Sequence, residues 1–187
     1  MFLVLIGFVA VIAIGIPVFA PGLFQAPGWV TYAGASFTLL GLLAREFFAL
    51  RAMRKQHTVT VLLQSRMSTA FNDKYKAMLK VYPVTPSMTL VKDGDWNDPN
   101  KIEAIEALKY FLNYYEFIAI GVRTGDLDEN YLYMSLGGIV PNLCKLGAAY
   151  IVFCRTAAAA GHEDVFANLI WLRDRWQKKT DERFPKP

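Results

Sequence analysis

The chain has 187 residues, 20 Lys and Arg against 16 Asp and Glu, a net charge of +4, and a mean hydropathy of +0.26 with 54% hydrophobic residues. That length suits one domain of ordinary size. The hydropathy is high for a soluble protein, and it is uneven. No charged residue precedes Arg45, so every charge falls after Ala44, where charged residues reach the globular norm of about a quarter. Composition thus divides the chain into a lipid-soluble start and a water-soluble remainder. The excess positive charge needs no nucleic-acid partner. Much of it sits in a collar, Arg45, Arg51, Arg54 and Lys55, with His57 beside it and Glu46 as the one acid. Such a collar is expected where a chain leaves the bilayer on the cytoplasmic side, against anionic headgroups.

In chain order, residues 2–20 are apolar throughout, with small residues at Gly7, Ala10, Ala13 and Gly15. As a helix this stretch reaches about 28 Å, close to the hydrocarbon thickness of a bilayer. A secretory signal would show a basic segment before it, which the sequence lacks. Pro21-Gly22 and Ala26-Pro27-Gly28 mark a turn. A second apolar run extends to about Leu50. Trp29 and Tyr32 are placed for one interface, and Arg45, Arg51, Arg54 and Lys55 for the other. The expected unit at residues 1–50 is a two-helix transmembrane hairpin in the inner membrane, with both termini cytoplasmic and the tip in the periplasm. Gly34 and Gly41 share one helical face and would allow close contact between helices of a homo-oligomer.

Residues 51–187 read as a cytoplasmic domain, all-α, a bundle of about five helices. The second span is expected to run on without a break through Tyr82, on the stripe Val59, Leu62, Leu63, Met67, Ala70, Phe71, Tyr75, Met78 and Leu79. Pro83 and Pro86 end it. Residues 83–98 form a long polar loop, whose three Asp lack the spacing and Glu of a calcium loop. A helix over 102–123 follows, with Asp98 as its cap, Pro99 in its first turn and Gly125 at its end. Asp126 and Glu129 open another, from Leu127 to about Gly138, which Gly137, Gly138 and Pro141 should break or kink. Further helices are expected over 142–160, stopping at Gly161, and over 163–183.

Few features point to chemistry. Cys144 and Cys154 are ten residues apart, about 15 Å along a helix. That is too far for a disulfide to each other, so reduced thiols are expected. With two histidines and two cysteines in all, and no phosphate loop or HExxH motif, neither a metal nor a cofactor is expected. Glu116 and Arg123 share a face of the 102–123 helix amid apolar and aromatic residues. A carboxylate there requires a partner, so both are expected to bind helix ends or to pair across the core.

Two resemblances add to this. The stretch Phe111-Leu-Asn-Tyr-Tyr-Glu-Phe-Ile-Ala-Ile-Gly-Val-Arg-Thr-Gly-Asp-Leu-Asp-Glu129 resembles the signature of an uncharacterised family of bacterial and phage proteins. Members join N-terminal membrane helices to a helical domain carrying an aromatic-Glu-x-x-Ala run followed by Gly and a Leu-Asp-Glu turn. The resemblance covers about residues 105–135 and implies a structural corner built from Tyr115, Glu116, Arg123, Gly125, Asp126, Asp128 and Glu129. Separately, Arg155 followed by His162 resembles the loose active-site motif of HEPN ribonucleases, in which the histidine does acid–base work and the arginine supports phosphate. The layout is also similar to that of HEPN-like membrane accessory proteins of phage-defence systems, some of which assemble into pores.

The expectation for function is therefore a membrane-anchored, homo-oligomeric, non-enzymatic protein, an accessory or effector in bacterial defence or phage–host competition. The bilayer is its partner, and several copies would be needed to enclose a pore. The alternatives are a membrane-tethered HEPN-like ribonuclease using Arg155 and His162, and a membrane anchor whose helical domain binds a protein partner.

Overall fold

A computed structural model describes residues 29–83, 88–157 and 164–183, with side chains at 34–83, 88–156 and 164–182. The first predicted span, the turn after it and His162 lie outside the described residues. The elements are α1 (Trp29–Arg66), α2 (Thr69–Val81), a 3₁₀ turn (Asp95–Asn97), α3 (Ile102–Thr124), α4 (Glu129–Leu136), α5 (Ile139–Leu146), α6 (Ala148–Ala157) and α7 (Ala167–Arg183). Among the described residues there is no strand, and the fold is all-α.

The chain divides after Met53 into two units. In the first, α1 carries large apolar side chains around its circumference from Gly34 to Met53 and buries almost none of them. Phe37, Leu39, Leu42, Phe48, Leu50 and Met53 are each at least half exposed. Among the described residues no helix is long and apolar enough to cross a membrane. The described apolar run is interrupted by Arg45 and Glu46, and the side chains at 29–33 are not described.

In the second unit α3 is the central helix. Leu108, Leu112, Ile118 and Ala119 are wholly enclosed, and at 3.6 residues per turn they share one broad face of about 120°. Helices α2 and α7 both pack on it, and α5 packs on α7. Trp176, Leu169 and Leu172 of α7 are equally buried. This helix is amphipathic, and its apolar stripe finds the core.

Among the described residues six helices follow α1, where about five were expected in the domain, and two of the expected runs are cut. The expected continuous helix through Tyr82 stops at Arg66. Ser68 adopts an extended backbone (φ −72°, ψ 138°) and its Oγ accepts the Phe71 N–H, capping α2. Serine does this because its short hydroxyl reaches the orphan N–H groups of a first turn. The stripe assigned to one long helix is split accordingly: Leu62 and Met78 are buried, whereas Leu63 and Met67 are exposed. The second cut is Gly147, which separates α5 from α6. A Cβ there would lie 3.3 Å from Leu108 Cδ1, so a side chain at this position would press on α3.

Helix α3 begins later than its predicted cap. Asp98 Oδ1 accepts the Asn100 N–H at 2.9 Å in the turn that Pro99 initiates, and the N-cap position is Lys101, with no side-chain bond. Its end is as the sequence predicts: Gly125 takes φ +82°, a left-handed conformation that costs glycine little.

Candidate functional site

Several polar residues of the 111–129 stretch are placed against a partner. Asp128 is the N-cap of α4, its Oδ1 accepting the Tyr131 N–H at 3.0 Å. Asp126 accepts the Thr124 hydroxyl at 2.6 Å. Glu129 receives Arg175 of α7 in a two-pronged pair of 2.7 and 2.9 Å. That hydrogen bond, more than the opposing burial, holds the Glu129 carboxyl below the usual carboxylate range. Buried Thr58, near the end of α1, was not singled out from the sequence. Its hydroxyl donates to Arg54 O and accepts the Asp128 N–H, both at 2.8 Å.

Glu116 has a role that follows from what the next helix lacks. Phe166, buried and at φ 59°, stands where α7 needs a capping side chain, and its O accepts the Ile170 N–H. A phenylalanine offers no acceptor. Glu116 reaches across from α3 instead. Its Oε2 accepts the Leu169 N–H at 2.6 Å, and Oε1 accepts the Asn168 N–H at 3.2 Å and Nδ2 at 2.8 Å. A carboxylate at the positive end of a helix is favourable. Arg123 completes the chain of bonds by donating to Asn168 Oδ1 at 2.9 Å, with its guanidinium 5.8 Å from the Trp171 ring centre. Arg175 lies 5.6 Å from the same ring centre.

The polar loop holds a second network. Asp95 is buried. Its Oδ2 accepts the Tyr82 hydroxyl at 2.8 Å and the Lys92 N–H at 3.0 Å, and its Oδ1 receives Lys101 Nζ at 2.7 Å. Burial alone would raise its pKa, but the bonds from Lys101, Lys92 and Tyr82 hold it below the ordinary value. Tyr82 is driven up by burial and by Asp95, and Lys101 is raised by its bond to Asp95. Residues 92–101 are a segment fastened on one carboxylate.

Between α2, α3 and α5 lies a cleft of about 520 Å³. Phe71, Tyr75 and Met78 line it from α2, Phe111 and Tyr115 from α3, and Ile139, Leu143 and Leu146 from α5, with Met88 closing one side. The rings meet edge to face, with Phe71 and Phe111 5.0 Å apart between centres. Among the described residues the polar side chains of the lining are Arg66, Asn72 and Asn142, with the hydroxyls of Tyr75 and Tyr115. Tyr115 is buried, and burial pushes its hydroxyl up to about 12 despite the pull of Arg66. A concave, mostly apolar pocket with few convergent polar groups is the usual form of a small-molecule site. Sequence reasoning missed it because its walls come from three separated helices; the aromatic and methionine positions read as ordinary core.

Arg155, from α6, donates Nε to Val165 O at 2.9 Å, tying α6 to the approach to α7. His162, its predicted partner, lies outside the described residues. Burial pushes the Cys144 thiol up to about 11, which favours the protonated, unreactive form. Among the described residues no group of three or more His, Cys, Asp or Glu is placed to hold a metal ion. Of the residues assigned to the membrane interface, Arg45, Arg51, Arg54 and Lys55 are exposed along α1. Trp29 and Tyr32 lie in the same helix, with their side chains outside the description. A Cβ added at Gly34 or Gly41 would meet nothing within 4 Å.

No curated protein and no solved structure matches this chain. A family model described as a domain of unknown function, DUF4760, matches residues 30–176. The matched span runs from the first turn of α1 to Trp176 in the middle of α7, and so takes in the capped corner, the Asp95 network and the apolar cleft. On that match, which covers most of its length, the chain belongs to the DUF4760 family.

Proposed function

We propose that this protein is a membrane-anchored, self-associating and non-enzymatic helical protein that acts at the bacterial inner membrane. One observation carries the reading: from Gly34 to Met53, α1 bears large apolar side chains on every side and leaves them exposed. A helix apolar all round is stable when lipid or other helices surround it. The uncharged residues 2–20 support a first span before it, and the cationic side chains from Arg45 to Lys55 support a cytoplasmic exit. Open space around Gly34 and Gly41 leaves room for a second copy to approach closely. A role as an accessory or effector in bacterial defence or phage–host competition, with a pore as one form of it, draws its support from the likeness of layout.

The test is extraction followed by mass. Membranes containing the full chain are washed with alkaline carbonate, and the protein is then solubilised and its mass measured. The expected result is retention in the washed membrane and a mass of several copies, reduced when Gly34 and Gly41 are both replaced by Leu. Recovery in the wash would overturn the anchor, and a single-copy mass would overturn self-association. If the ribonuclease alternative holds instead, RNA cleavage is present and His162→Ala abolishes it.

A further inference from the structure

The apolar cleft is unlike the rest of the domain's surface. It is formed within the unit 54–187 and has a volume of about 520 Å³, inside the range of about 300–1,000 Å³ typical of small-ligand sites. Its floor is buried Met78, Phe111 and Leu146, and among the described residues no carboxylate lines it. The one charge on its wall is Arg66, an exposed guanidinium with no carboxylate partner among the described residues. Asn142 adds an exposed amide at the α5 side. A sugar or nucleotide would need polar groups over most of its surface, whereas these walls are mostly aromatic, methionine and aliphatic, with Asn72 and the Tyr75 and Tyr115 hydroxyls as the remaining polar side chains. A long hydrocarbon suits them, because methionine and aromatic side chains adapt to an irregular chain. A planar, permanently charged guanidinium suits an acidic head.

From this complementarity we infer that the cleft binds a long-chain anionic amphiphile. Its hydrocarbon lies along Met78, Phe111 and Leu146, and its acidic head meets Arg66. The inference concerns the domain alone and does not rest on the anchor. Two sources share this chemistry, a free fatty acid and an anionic phospholipid of the bilayer.

The experiment uses the full chain in phosphatidylcholine nanodiscs and a palmitic acid carrying a photoreactive diazirine on its tail. Labelled positions are read by peptide mass spectrometry. The expected result is labelling at the cleft, within 71–78 and 138–146, competed by oleate and not by oleyl alcohol. Arg66→Gln should weaken competition by oleate about tenfold, the loss of one charge-assisted contact. Ile139→Trp, at an exposed rim position, should block cleft labelling while leaving labelling of 34–53 unchanged. That second segment separates this test from the anchor, since its labelling reports lipid contact whether or not the cleft is filled. Replacing part of the phosphatidylcholine with phosphatidylglycerol distinguishes the sources. Suppressed cleft labelling identifies the phospholipid, and unchanged labelling identifies the free acid. Labelling confined to 34–53, or equal competition by oleyl alcohol, would overturn the inference.

Discussion

Glu116 caps a helix that begins 51 residues further along the chain, its Oε2 accepting the N–H of Leu169 at 2.6 Å. Phe166 holds the position where a serine or aspartate would ordinarily do this. The cap has been moved from the helix that needs it to the helix against which it packs.

Glu116→Ala should therefore destabilise the domain by about 1–2 kcal/mol, the usual cost of losing a cap. Glu116→Gln keeps one carbonyl acceptor and should lose less. Phe166→Gly relieves the left-handed backbone but removes a buried ring, and a net loss is expected. Thermal unfolding of the full chain in a mild detergent, followed by circular dichroism, ranks the three.

Thr58→Val should cost about 1–3 kcal/mol, the penalty for burying an N–H without a partner. Valine matches the shape of threonine but cannot accept the Asp128 N–H. Thr58→Ser keeps the hydroxyl and should fall close to the parent. Amide exchange at Asp128 gives a direct check: faster in Thr58→Val, unchanged in Thr58→Ser.

The Asp95 network predicts losses at both ends of the pH scale. Its carboxyl is held below the ordinary value in the folded chain, so it adds stability above the usual carboxylate range. That stability disappears as pH falls below about 4 and through the lowered value. Tyr82 and Lys101 are raised. Their contributions are complete below about pH 10 and fade as the pH climbs through their folded values. Asp95→Asn should be less stable at neutral pH and show a shallower acid limb. Unfolding midpoints in urea from acid to alkali measure both effects.

At the α3–α4 corner two glycines serve different ends. Gly125→Ala meets no neighbour but must adopt φ +82°, at about 1 kcal/mol. Gly121→Ala would place a methyl 2.6 Å from Leu127 Cδ1, and overpacking of this kind costs about 1–3 kcal/mol. The alanine at 121 should be the more damaging, and the order of the two melting temperatures tests it.

Local features of the sequence revealed much of the second unit. Periodicity located α3, Gly125 its end, and Gly137-Gly138 the break between α4 and α5. What escaped was set by residues distant in sequence. Ser68 is a cap only because the chain turns there, inside a pattern that continues to look helical. Gly147 sits against Leu108 of α3, a contact that the local sequence does not show. Glu116 was expected to bind a helix end or to pair across the core, but which end depended on an uncapped Phe166. Asp95 read as one of three acids in a long polar loop, because its partner Tyr82 lies 13 residues earlier in the chain. The cleft has no signature in any single segment.

Consider the borrowed cap during synthesis. Glu116 leaves the ribosome 52 residues before Asn168, an interval of a few seconds at about 5–20 residues per second. Throughout it, the α3 face destined for α7 has nothing to cover it, and the carboxylate is bound only by water. The nascent domain is an open scaffold held shut by its last helix, and any chaperone or sister chain able to recognise that face has a defined window in which to reach it.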